Sequence, residues 1–238
     1  MNANGSKAMT KFHNIVGYKE IGVRTAFALF ATAIGLALWP AAAAANFSPR
    51  TSITLSDYHA KAIPQVTRTL SQQAGERDIA KVTYKVPAGF GVATYNTRLE
   101  SGEVLGEGWI KIATPPCIKA SPLPVRFKIY YQEPYPYQIA DGVKGIWALE
   151  DDLGDYVPYT LRGSKASGWT LSARIPQEDL TCAPLLAKAW TYRRSSVTHT
   201  PITTNPSTAG SYVFKSIFTS EITDQTVVRS QTVKITSG

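Results

Sequence analysis

An uncharged block near the N-terminus decides which part of this chain folds and in which compartment it does so. Residues 25–45 contain no charged side chain, and they follow a leader, residues 1–24, that carries four basic residues. The block ends in Pro40 and five alanines, which place small residues at both Ala43 and Ala45. This pattern is typical of a secretory signal peptide that is cleaved after Ala45.

The alternative for the same block is an uncleaved membrane anchor, because its length approaches the roughly 20 residues of a spanning helix. However, its strongly apolar part, residues 27–39, is too short to span, and Pro40 would break a helix. We therefore expect a signal peptide over residues 1–45 and no membrane span after cleavage. Residues 46–238 then form a secreted domain, with residues 46–56 as a flexible N-terminal strand, exported to the periplasm, cell surface or fimbrium of a Gram-negative bacterium.

The charge of the remaining chain argues against a nucleic-acid partner. Residues 1–45 hold four of the 25 basic and one of the 17 acidic residues, so the rest has 21 basic and 16 acidic side chains and a net charge of +5. These cations are scattered, and the longest run is Arg193-Arg194. A protein that neutralises phosphates needs Lys and Arg clustered on one face. No nucleic acid is therefore expected as a partner.

Alternation of apolar and polar residues predicts β-strands along most of residues 46–238. In residues 78–86, for example, Ala80, Val82, Tyr84 and Val86 share one face, and lysines and a threonine share the other. The same reasoning predicts strands over residues 47–56, 125–131, 145–149, 156–161, 168–175, 211–219 and 226–235, with shorter apolar pieces at 90–95 and 109–113.

Two segments are ambiguous, and a proline-rich segment limits how the strands are arranged. Residues 66–74 read as a short helix or a loop, and residues 185–192 read equally as helix or strand. Residues 114–124 contain four prolines and must lie at an edge or a corner. About ten short strands without alternating helices predict an all-β fold, an antiparallel Ig-like β-sandwich. Length alone does not choose between one β domain and two.

Cys117 and Cys182 are the only two cysteines of the chain. In an oxidising compartment, two thiols most simply form one disulfide. In the chain-entropy model, closing this loop contributes roughly 4 kcal/mol to the free energy of unfolding. The alternatives are free thiols, an intermolecular bridge, or a nucleophilic Cys117 with His199 as its base.

The sequence contains no motif that identifies an enzyme, so we predict no catalytic residue, no metal and no cofactor. His59 and His199 are far apart and lack metal-ligand spacing. The acidic run at residues 150–155 offers oxygen ligands for Ca²⁺ but does not follow the spacing of a Ca²⁺ loop. A pair of glycosidase carboxylates is assembled in space rather than in sequence, so a carbohydrate-active hydrolase stays an alternative.

The most unusual candidate surface is a run of four tyrosines interrupted by two prolines. Tyrosine supplies a broad, rigid face with a polar tip, which suits contact with a glycan or a receptor. The simpler interpretation is a strand end that continues into an extended, polyproline-like loop whose rings cover the core. The candidate contact residues are Tyr130, Tyr131, Tyr135 and Tyr137.

Two segments carry a resemblance to a known family. Residues 47–55 resemble the extension that fimbrial subunits of the chaperone–usher pathway donate to a neighbouring subunit, and residues 210–235 are similar to the terminal strands of such subunits. Ser237 and Gln225 stand where many of these subunits carry a tyrosine and a glycine. The resemblance implies assembly by strand addition, with the donor side chains Phe47, Ile53 and Leu55.

We therefore expect a non-enzymatic structural or adhesive protein of the cell surface, a fimbrial or adhesin-like subunit. Its expected partners are other surface or pilus subunits, a periplasmic chaperone, and a glycan or host receptor. The alternative is a soluble periplasmic binding or accessory protein.

Overall fold

The computed structural model describes residues 47–73, 76, 79–112, 124–152, 154–175, 185–220 and 224–238. These residues form thirteen strands and one short helix. In chain order the elements are β1 (Arg50–Leu55), β2 (Val66–Ser71), β3 (Ile79–Val86), β4 (Gly91–Val92), β5 (Val104–Ile112), β6 (Val125–Gln132), α1 (Pro136–Ala140), β7 (Val143–Asp151), β8 (Tyr156–Ser164), β9 (Gly168–Arg174), β10 (Leu185–Tyr192), β11 (Thr203–Thr204), β12 (Gly210–Ser220) and β13 (Thr226–Ile235). The prediction of an all-β protein is confirmed.

Eleven strands form one continuous antiparallel sheet in the order β1-β2-β10-β5-β6-β7-β8-β9-β3-β12-β13, and β4 pairs with β11 separately. The first and last strands of this order meet, so the sheet is nearly closed into a barrel. The antiparallel pairing agrees with the prediction. The two separate sheets of an Ig-like sandwich are not distinguished in the described strands, because hydrogen bonds connect them continuously around the barrel.

Alternation places one face of most long strands inside, although β5, β7 and β10 contain shifts of register and residues 145–149 of β7 are all buried. One row across neighbouring strands runs from Ile53 through Arg68, Trp190 and Gly108 to Phe127, each a registered partner of the next. The apolar members of this row have less than a tenth of their surface exposed. The interior of the barrel is therefore the core of the protein, and burial of these side chains is the main stabilising contribution.

Both ambiguous segments are strands. The predicted helix or loop over residues 66–74 is replaced by β2, where Val66, Arg68 and Leu70 point inward. The charged Arg68 interrupts the apolar face in the sequence, and this hides the period of two. Residues 185–192 form β10, which lies between β2 and β5.

The connections at the two ends of the barrel differ. At one end, called the Val104 end because β5 begins there, residues 87–103 and 193–209 supply the β4–β11 pair and the fully buried side chains of Phe90 and Ile202. The opposite end, where β5 finishes, is called the Ile112 end. The helix α1 connects β6 to β7 at the Val104 end. In the described part of the chain, none of the helices has the length and apolar character needed to cross a membrane.

Candidate functional site

The predicted donor side chains lie in the core of the barrel. Phe47, Ile53 and Leu55 are 3%, 4% and 5% exposed. Along one edge, β1 pairs with β2 from Arg50 to Leu55. The predicted donor strand therefore lies in the barrel of its own chain.

The other edge of β1 meets β13 through side chains, in what we call the β1–β13 seam. The side chain of Gln231 bridges Ile53, since its Oε1 accepts the Ile53 N–H at 2.8 Å and its Nε2 donates to the Ile53 carbonyl at 2.7 Å. A side-chain amide has the same donor and acceptor as a peptide group. Gln231 therefore takes the place of a neighbouring backbone, and the two strands stay too far apart for an ordinary ladder at this point.

The remaining contacts of the seam lie on either side of Gln231. Arg229 donates from Nε to the Pro49 carbonyl at 3.0 Å and from Nη2 to the Ser48 hydroxyl at 2.8 Å. Beyond β1, the Thr236 N–H donates to the Tyr58 carbonyl at 2.8 Å in a short parallel bridge. Backbone pairing is thus confined, among the described residues, to one end of the seam.

A small cavity of about 20 Å³ lies at the seam. Its lining includes Arg68, Ser216 and Arg229, which occupy inward positions of their strands, and Ser52 and Ser230, which occupy outward positions. A volume of this size holds about one water molecule.

Arg68 is an inward-pointing cation that is only 3% exposed. Its guanidinium carbon lies 4.7 Å above the centre of the Tyr84 ring and 5.9 Å from that of Phe214. Within the described residues no carboxylate forms an ion pair with it. The cation–π contacts compensate part of the lost hydration of the guanidinium.

A second cavity of about 20 Å³ lies deeper in the barrel and also borders Arg68. Its other walls are mainly apolar, with Trp147, Phe90 and Leu161 among them. The Trp147 indole N–H has no hydrogen-bond partner in the described structure. Both cavities are far smaller than the several hundred Å³ of an ordinary ligand pocket, so the barrel interior is packed core.

Lys188 is the other buried cation among the described residues, and it lies nearer the Ile112 end. Its Nζ is 3.2 Å from the Tyr159 hydroxyl and 5.2–5.4 Å from the ring centres of Phe127, Tyr159 and Trp190. Burial lowers the pKa of Lys188 from its ordinary 10.5 to about 7. The amine is thus far easier to neutralise than an exposed lysine.

The tyrosine run separates into buried and exposed members. Tyr131 is 1% exposed, and burial, followed by the charge of Glu133, raises its pKa to about 12. Tyr130 is half-buried on the outer face of β6. Tyr135 and Tyr137 are 64% and 65% exposed, and their rings lie nearly parallel with centres 5.8 Å apart.

Tyr137 lies in α1, whereas the backbone of Tyr135, at φ −63° and ψ 155°, is extended as the simpler interpretation expects. Tyr135 precedes α1, Pro136 is its first residue, and the Tyr135 N–H donates to Gln138 Oε1 at 2.9 Å. These contacts hold both rings on a short, rigid turn, so little conformational entropy remains to be lost on binding. Buried Tyr131 does not belong to this surface.

Two other predicted features give less structural information. Cys117 and Cys182 lie outside the described residues. The acidic run is a turn in which Asp151 Oδ1 accepts the Asp155 N–H at 3.0 Å. Among the described residues, no three His, Cys, Asp or Glu side chains lie together in a way that could hold a metal ion.

Sequence reasoning missed Arg68, Lys188 and Gln231. The signal for the two cations is a charged residue in the inward register of a strand, and this becomes visible only once β2 and β10 are recognised as strands. The signal for Gln231 is a polar residue at an inward position of β13. Its partner Ile53 lies 178 residues away in the sequence, so spacing does not reveal the bridge.

Comparisons with protein-family models, with curated proteins and with solved structures found no match to this chain.

Proposed function

We propose that this chain is an exported cell-surface protein, a fimbrial or adhesin-like subunit that assembles by strand addition at the β1–β13 seam. The observation that carries the proposal is the edge of β1, whose Ile53 amide and carbonyl bond to the side chain of Gln231 and not to a strand. Strand edges that lack a backbone partner are the usual sites of strand addition.

The physical logic is exchange of equivalent strands. If β1 leaves its barrel, the interior positions of Phe47, Ile53 and Leu55 and the edge of β2 become free. The same strand from another subunit restores the main-chain bonds, and its alternate side chains fix the register. The proposed partners are other surface or pilus subunits, a periplasmic chaperone that holds the open form, and a glycan or host receptor.

The change Gln231→Ala tests whether the seam controls this exchange. It leaves the Ile53 N–H and carbonyl without partners, so we expect the contact between β1 and β13 to be weakened by roughly 1–3 kcal/mol of free energy. The Ile53 amide should then exchange with solvent at least tenfold faster. Mixed oligomers of isotope-labelled and unlabelled chains, counted by native mass spectrometry, should form correspondingly faster. The control is Thr232→Ala, an exposed neighbour on the outer face of β13.

Hydrogen exchange on the wild-type chain can contradict the proposed donor role of β1. Protection of Ile53 and Leu55 equal to that of Val82 and Ile129, which lie in fully paired strands, would exclude a donor role for β1. If Gln231→Ala changes neither the exchange rate of the Ile53 amide nor the rate at which mixed oligomers form, the seam does not control strand exchange.

We also propose the disulfide between Cys117 and Cys182. The described residues Ile112 and Leu185 are registered partners of β5 and β10. Cys117 follows Ile112 by five residues and Cys182 precedes Leu185 by three, so the chain lengths permit a bridge. Thiol titration of the unfolded, unreduced protein from an oxidising compartment should find no thiol. Two titratable thiols would contradict the bridge.

The rigid pair Tyr135 and Tyr137 favours a second candidate, a periplasmic or surface binding protein. Changing both to Ala should weaken binding to glycan arrays or host cells at least tenfold. The free energy of unfolding should change by less than about 0.5 kcal/mol, because both rings are exposed. Val197→Ala, equally exposed, is the control. A large loss of stability in the double variant would show that the rings serve packing.

A further inference from the structure

Two cations of the described residues are buried inside the barrel, Arg68 and Lys188, and they differ in how they can become neutral. Lys188 can release its proton, and burial favours this by lowering its pKa to about 7. A guanidinium does not release its proton under conditions in which proteins fold. Arg68 therefore keeps a positive charge at 3% exposure, and buried charges are normally paired.

The described residues give Arg68 aromatic faces and no anion. Tyr84 and Phe214 contact the guanidinium, but a ring face does not accept the directional N–H bonds that a carboxylate or oxyanion accepts. Arg68 also borders both small cavities, so its polar end faces open space as well as packed side chains. This combination indicates a place where an anion fits.

The cavity at the seam supplies further donors. Arg229 uses two of its five N–H groups for Pro49 and Ser48, and it lines the cavity with Arg68 and Ser216. Two guanidinium groups and a hydroxyl around one small space attract negative charge strongly, because water is largely excluded.

We propose that Arg68 and Arg229, with Ser216, form an anion-binding site beneath the β1–β13 seam, which takes a monatomic anion such as chloride. The small volume of the cavity limits the ligand to about the size of one water molecule. The bound anion neutralises Arg68 and adds a contact across the seam between β2 and β13. The site does not depend on the proposed function.

The test uses the purified protein in a chloride-free buffer and sodium chloride as the probe. Chloride should raise the Tm saturably, by about 5 °C or more at a hundredfold excess over its Kd. Sodium gluconate at the same concentration controls for ionic strength, since its anion is too large for the cavity, and it should give no saturable shift. A wild-type chain that responds equally to both salts, or to neither, would overturn the site.

Arg68→Met separates the site from a general salt effect. The variant removes an unpaired buried charge, so its Tm without chloride should rise, and its response to chloride should be lost. Lys188→Met, which removes the other buried cation, should keep the response. An equal response of Arg68→Met and wild type would overturn the proposal. If Arg68→Met does not fold, the Arg68 Nε–Hε resonance of the wild type must shift saturably with chloride while that of exposed Arg174 does not.

Discussion

Lys188→Met is expected to make the protein more stable at pH 6 and to remove most of a rise in stability between pH 7 and 10.5. The Lys188 pKa is about 7 in the folded chain and 10.5 when exposed. Between these values the unfolded chain binds more protons, so the free energy of unfolding increases with pH. The full difference is on the order of 5 kcal/mol. Below pH 7 both states are protonated, and the destabilisation is complete.

Urea unfolding at pH 6, 8 and 10 measures this effect. The difference between wild type and Lys188→Met isolates the lysine from the other groups that titrate at alkaline pH. Lys128→Met, on the exposed outer face of β6, should keep the wild-type profile. A parallel pH dependence of Lys188→Met and wild type would show that the amine stays charged inside its ring of aromatic side chains.

Gly108→Ala is expected to lower the free energy of unfolding by at least about 3 kcal/mol or to prevent folding. Gly108 faces inward on β5, and an added Cβ would meet the Ala189 carbonyl and lie 2.5 Å from Phe127 Cζ and 2.8 Å from Trp190 Cβ. The Ala189 carbonyl belongs to the neighbouring strand and cannot turn aside as a flexible side chain can. Overpacking of this kind typically costs 1–3 kcal/mol, and more when the backbone must move.

Gly145→Ala is the matched control on the same inner face. Its Cβ would lie 3.4 Å from Tyr131 Cε2 and 3.8 Å from Leu161 Cδ2, which is ordinary contact. The change should be neutral or stabilise by up to about 1 kcal/mol, since alanine restricts the unfolded chain. Thermal unfolding of both variants checks the pair. Similar stability of the two would mean that β5 and β10 separate easily.

Strands whose outer faces are polar could be predicted from the sequence. The expected segment 226–235 coincides with β13, and residues 78–86 and 125–131 differ from β3 and β6 by one residue. In β3 and β6, inward apolar residues alternate with outward residues that are mostly polar, because one face meets solvent. The period of two then shows directly which side chains face the core and which face solvent.

Prediction failed where the interior is not apolar. Arg68 and Lys188 occupy inward positions of β2 and β10. The charge of Arg68 made β2 resemble a helix or a loop, and that of Lys188 left helix and strand equally open for β10. Closure of the sheet was also beyond reach, because local patterns do not specify which strands become neighbours. The β1–β13 seam joins side chains that are far apart in the chain. Because a sandwich and a barrel share the same local alternation, the sequence pattern does not distinguish them.

The strand order has a consequence for the sequence of events during synthesis. β10 lies between β2 and β5, and β3 lies between β9 and β12. A growing chain that ends before residue 185 cannot join β2 to β5 through β10, and β3 lacks both neighbours until residue 168. Such distant pairing slows folding and leaves strand edges open. The sheet around β2, β3 and β5 is therefore completed only late in synthesis, once β10 and β12 have been made.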